Sequence, residues 1–162
     1  MLITIPQFLA IWEQETAATL SCFSKLTDES LSQTLVKDYR SIERLVNHIL
    51  DCAASIPQAA TVPVVHSKKH YTHVSELIDA YTIATDKVKK AVATWTDETL
   101  LEETPMYGEV WKKGFALWVT IAHQAHHRGQ LTVLMRLAGL KVPGVYGPAK
   151  EEWEAMNLPE AD

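Results

Sequence analysis

Residues 120–140, TIAHQAHHRGQLTVLMRLAGL, carry three histidines within five positions of a stretch whose apolar residues recur at helical spacing. On an α-helix, residues four apart differ by about 40° and lie about 6 Å apart. His123 and His127 have that relation, so their imidazoles can reach one point in space. His126 lies about 100° from His127 and reads instead as a supporting, core or interface histidine. At 100° per residue, Phe115, Val119, Ala122, Val133, Leu134 and Leu137 share a sector with His123, His127 and Gln130. That projection turns the polar side chains toward the interior. Trp118, Ile121 and Met135 lie away from that sector, where they either pack elsewhere or face a partner. Buried imidazoles need partners. A shared cation is one answer, and carboxylates or carbonyls in the core are the other.

The helix is one of four. The pattern predicts helices over about Pro6–Phe23, Ser41–Ile56 with Pro57 as the stop, Val74–Trp95, and Phe115–Ala138 closed by Gly139. No segment shows sustained alternation, so strands are not expected. Four amphipathic helices in 162 residues imply a single domain over 1–162, an all-α four-helix bundle. Residues 24–40 should hold a helical turn and 57–72 a crossover. Pro148 can open a short C-terminal helix around Lys150–Met156.

Composition narrows the function. The net charge is −5 and no basic tract appears, which argues against nucleic acid. The start lacks a basic region and meets Glu13 and Glu15 early, unlike a signal peptide. No apolar run reaches the roughly 18 residues needed to span a bilayer. Cys22 and Cys52, inside helical patterns, read as reduced thiols in cytoplasm.

His48, on the shoulder of the second helix's apolar stripe, supplies a third imidazole from a second helix, as a bundle-core metal site requires. Three neutral histidines leave one or more coordination positions open for water or substrate, the pattern of a catalytic rather than a closed structural site. Cys52, one turn after His48, can reach the same point or serve as a small core residue. His66, His70 and His73 repeat the spacing in a segment that reads as a solvated loop. Glu15 projects near the centre of the first helix's apolar sector. It either orients a histidine or acts as a base, or it pairs with Arg40, Arg44 or Arg128. Tyr107, Trp111 and Tyr146 lie in segments that can cover one end of the bundle, where they either touch substrate or pack.

The stretches IERLVNHIL around His48, HQAHHRGQLTVLMRLAGL from His123, MYGEVW and VPGVYGPAKEEW resemble the DinB branch of the DinB/YfiT-like family of metal-binding four-helix bundles. The resemblance spans essentially the whole chain. It implies an up-up-down-down bundle, often a homodimer, with one divalent ion, nickel or zinc, on His48, His123 and His127. It further implies a small-molecule substrate and an activity among thiol-dependent transferases that use a low-molecular-weight thiol, or among hydrolases. Glu15, Tyr107 and Gln130 are then the candidate catalytic residues. Some thiol-dependent relatives carry glutamate at the position of His123, and here the chain departs from them. A non-catalytic metal-binding protein, such as a stress-induced sensor or buffer, and a helical interaction module with no ion are the alternatives.

Overall fold

The computed structural model describes residues 4–33, 37–65, 68–157 and 159. Four long helices dominate: α1 (Ile5–Phe23), α3 (Ile42–Ala59), α4 (Val74–Val92) and α5 (Lys113–Leu137). A five-residue helix, α2 (Asp28–Ser32), occupies the first connection. Local chemistry sets the starts. The Thr4 side chain accepts from the Gln7 amide, with proline following in the first turn. Ser41 accepts from the Arg44 amide, and Thr27 and Ser30 cap α2 reciprocally. Pro57 does not end α3, which runs to Ala59. In the last turn a proline forfeits a single ladder bond, and the turn closes past it through Ala60 N–H to the Ile56 carbonyl and Val62 N–H to that of Pro57.

Two buried clusters fix the helix directions. One gathers the start of α1 (Phe8, Trp12), the ends of α4 (Val88, Val92), the start of α5 (Leu117), and Val62 and Val64 beyond α3. The other gathers the end of α1 (Cys22, Phe23), the starts of α3 and α4 (Leu45, Tyr81) and the end of α5 (Leu131, Met135). Helices α1 and α5 therefore run one way, and α3 and α4 the other. Around the bundle the two directions fall in adjacent pairs, up-up then down-down. Along the chain the order is up, down, down, up, where the resemblance implied up-up-down-down, and the connection from α3 to α4, described over residues 60–65 and 68–73, returns the chain along the bundle.

The buried face of α5 is not the one its apolar residues suggest. Phe115, Val133 and Leu137 are exposed, whereas Leu117, Thr120, Gln124, Arg128, Leu131 and Met135 are buried. Of the residues outside the histidine sector, Met135 packs in the core and Trp118 is exposed. The histidines occupy the flank between these faces, turned toward α3.

Residues 103–112 form a hairpin that alternation did not announce. Strand β1 (Glu103–Met106) pairs antiparallel with β2 (Glu109–Lys112). Tyr107 and Gly108 both take positive φ (53° and 86°), the signature of the tight turn that matches strand twist. Met106 and Trp111 pack with Cys52, Ile56, Ala60 and Ala116, which lays the hairpin beside the histidine flank of the α3–α5 seam. The short C-terminal helix expected around Lys150–Met156 takes the form of two 3₁₀ turns, at residues 150–152 and 154–156. The Glu152 carboxylate accepts from the amides of Gly144 and Ala149, folding the tail on itself. Among the described residues, no helix is long and apolar enough to cross a membrane.

Candidate metal centre

His48 on α3 and His123 and His127 on α5 turn their Nε2 atoms to one another. The three separations are 3.0 Å (His48–His127), 3.1 Å (His123–His127) and 3.3 Å (His48–His123). The rings meet at steep interplanar angles of 63–81°, so the nitrogens converge instead of the faces stacking. Nitrogens sharing a cation at about 2.0–2.1 Å lie about 2.9–3.4 Å apart, and all three separations fall in that range.

The proton inventory argues the same way. His127 Nδ1 lies 2.7 Å from Gln130 Oε1 and donates to it, which leaves its Nε2 a lone pair. One lone pair cannot accept well from both neighbours at once. Neutral rings therefore leave at least one nitrogen of the triangle poorly partnered, whereas a cation satisfies all three. The donor set fits a borderline-soft divalent ion. Cys52 Sγ stands 3.6 Å from His48 Nε2, and His48, Cys52 and His123 each offer a donor atom within 4.8 Å of the others.

All three imidazoles are held neutral. Burial lowers the His48 pKa to about 4, helped by the charges of His127, Arg40 and His123. His123 and His127 are shifted down too, first by burial, with the Gln130 bond opposing it at His127. Unfolded histidine titrates near 6.5. Between about pH 4 and 6.5 the unfolded chain therefore binds more protons than the folded one, and metal-free protein must lose stability as the pH falls through that window. Urea midpoints of stripped protein at pH 7 and pH 5 check this. The drop should shrink in His48→Phe, and an equal drop in both proteins would contradict the assignment.

Gln130 holds the back of His127 and does not face the nitrogen triangle; its Nε2 in turn meets His126 Nε2 at 3.1 Å. It is a positioning residue, a correction to a direct catalytic role, and His126 is tied into the same chain. Removing such an outer partner typically costs about 10–100-fold in metal affinity. Gln130→Ala should weaken binding by that order in a competition titration with a chromophoric chelator, and unchanged affinity would refute the role.

Glu15 does not reach the histidines. Its carboxylate meets Arg128 Nη2 at 2.6 Å, and Arg128 Nη1 donates to the Glu15 carbonyl and to Thr19 Oγ1, each at 3.0 Å. The Tyr146 hydroxyl accepts from Arg128 at 2.7 Å and donates to Glu15 at 2.8 Å. Arg128 is 1% exposed. A carboxylate so engaged is committed to a buried ion pair, which corrects its reading as a base. Tyr146 is likewise anchored to that pair. Tyr107 sits exposed at the hairpin turn, edge-on to Trp111, whose ring meets Phe115. Partial burial raises the pKa of the Tyr107 hydroxyl, with a smaller contribution from the charge of Cys52. His70 and His73 lie exposed on Glu43 and Asp28, and His66 lies outside the described residues.

Arg40 is the residue that sequence reasoning weighed only as a partner for Glu15. A cleft of about 600 Å³ is bordered by His126, His127, Gln130 and Arg40, and another of about 260 Å³ by His48, Arg44 and Arg40. Arg40 lines both, and its charge bears on all three histidines. Nothing in the local pattern around Arg40 signals this, because it precedes the helix-capping Ser41 in a connecting segment.

A family model described as the DinB family matches residues 1–161. The uncharacterized protein YrdA of Bacillus subtilis (strain 168) is 39% identical, covering 98% of this chain and 97% of that protein. The crystal structure of a DinB-like protein from Bacillus cereus ATCC 10987 superimposes with a TM-score of 0.85 at 36% identity, over 90% of this chain and 100% of that one. The DinB-like protein YjoA of Bacillus subtilis shares the fold, with a TM-score of 0.71 at 22% identity over 86% of this chain and 96% of that one.

Proposed function

Since this chain belongs to the DinB family, we propose that it holds one divalent transition metal, nickel or zinc, on His48, His123 and His127 and works as a metal-dependent enzyme on a small molecule. The observation that carries the proposal is the triangle of Nε2 atoms at 3.0–3.3 Å. When bound, the ion supplies Lewis acidity that brings a coordinated thiol or water toward deprotonation at neutral pH. The chain's own residues do the rest. Burial keeps the imidazoles neutral and able to ligate. Gln130 fixes the tautomer and direction of His127. The two clefts on either side of Arg40 give a substrate room beside the triangle, and Tyr107 stands at the hairpin edge of the site.

Between the two nucleophiles, a low-molecular-weight thiol is favoured by the family resemblance, giving a thiol transferase; hydrolysis is the alternative. A homodimer is part of the proposal, supported by the exposed Phe115, Trp118, Val133 and Leu137 on α5. A cytoplasmic setting suits the two free, buried thiols. The test is conjugation of cysteine, glutathione or bacillithiol to a panel of electrophiles by metal-loaded and metal-stripped protein. Thiol consumption above background only with metal supports the enzyme; none with any pair removes it.

A second reading, a closed and non-catalytic metal site, rests on Cys52, whose sulfur is near enough to act as a fourth donor. Cys52→Ser separates the two: a closed site loses affinity, whereas an open three-histidine site keeps it.

A further inference from the structure

The chain is acidic, yet four cationic side chains, Arg40, Arg44, Lys68 and Lys69, converge on the cleft of about 260 Å³ against His48, with Asp51 the one acid among its lining residues. Lys69 is engaged by Glu76 at 3.0 Å. Among the described residues, neither the Arg40 nor the Arg44 guanidinium forms an ion pair. Both side chains are exposed, and like charges gathered around a single lining acid repel one another. Arg40 also borders the larger cleft beside His127 and Gln130, so its fork stands at the junction of the two openings onto the histidine triangle. A guanidinium presents two parallel N–H donors at the spacing of carboxylate or phosphate oxygens, and an ammonium adds a point charge.

We propose that Arg40 and Arg44, with Lys68, form an anion-recognition site that grips a carboxylate or phosphate group of the substrate while its reactive end faces the histidine triangle. The proposal rests on the triangle being the reaction centre. Because the grip is made by the chain alone, it operates whether or not a metal is bound. It also narrows the substrate class: a small molecule bearing an oxyanion a few bonds from the atom that reacts.

The test titrates the full-length chain, zinc-loaded and metal-stripped side by side, with succinate, inorganic phosphate and the neutral analogue succinamide, followed by NMR shifts and calorimetry at low and high salt. Succinate or phosphate should saturate both forms with salt-sensitive affinity, and succinamide should not. The preferred anion identifies the group as carboxylate or phosphoryl. Arg40→Gln and Arg44→Gln should each weaken binding about tenfold, as for loss of a charged hydrogen bond, and the exposed Lys25→Gln should leave it unchanged. Both arginines are exposed, so the variants retain the fold. Succinamide binding as well as succinate, no saturation, or unaltered affinity in the arginine variants would each overturn the proposal. So would binding confined to zinc-loaded protein, which would place the anion on the ion. The metal-stripped arm reads the cleft independently of the metal reading, so either can fail without the other.

Discussion

Chemical denaturation of Arg128→Met is expected to show a loss of about 3–5 kcal/mol of stability, the cost of leaving a buried charge without its partner. The side chain is 1% exposed, and it is held by Glu15 through both carboxylate and carbonyl and by Thr19. Its removal strands the Glu15 carboxylate in the seam between α1 and α5. The double variant Glu15→Leu, Arg128→Met removes both charges, and most of the loss should return, because hydrophobic replacement of a whole buried pair is often neutral or stabilising. Tyr146→Phe, which keeps the pair and deletes one hydroxyl, should cost only about 1 kcal/mol. A double variant as unstable as the single one would show that Arg128 acts through packing and not through its charge.

His127→Ala is expected to lower metal affinity by more than the roughly 100-fold upper range for an outer-shell partner. His127 makes the two shortest edges of the nitrogen triangle and is braced through its second nitrogen by Gln130. It lies at the edge of the buried face of α5, so truncation should leave the fold intact, and far-ultraviolet circular dichroism can verify this. Affinity measured by chelator competition is the readout. A loss no greater than that of Gln130→Ala would mean that His127 is not a ligand, and it would shift the centre toward His48, Cys52 and His123.

The long helices were legible from their apolar spacing, to which Thr4 and Pro6 at α1 and Ser41 at α3 add start signals. The i, i+4 relation of His123 and His127 was legible too, since helical geometry alone brings them together. The inward face of α5 was not. Phe115, Val133 and Leu137 look like core by type, whereas the buried stripe contains Thr120, Gln124 and Arg128. Thr120 bonds the Ala116 carbonyl within its own helix, whereas Gln124 is buried because Tyr81 donates to it, and Arg128 because Glu15 and Thr19 hold it. Such partners sit on other helices and leave no trace in the local pattern. Glu15 illustrates the same limit: its misfit in an apolar stripe was visible, but which arginine answers it was a tertiary fact. The hairpin escaped because its strands have four residues each and one contains Pro105, too short for alternation to register. Its Tyr-Gly turn was the available signal. Arg40 owes its place at the site to the path of the connecting segment before α3, which no periodicity encodes.

The central claim is that imidazoles from α3 and α5 share one cation. Elemental analysis of the purified, dialysed chain after incubation with zinc or nickel tests it most directly, run beside a variant with His48, His123 and His127 all changed to alanine. About one equivalent of metal per chain is expected in the parent and none in the variant. A parent chain that retains no stoichiometric metal, or a variant that retains as much as the parent, would contradict it.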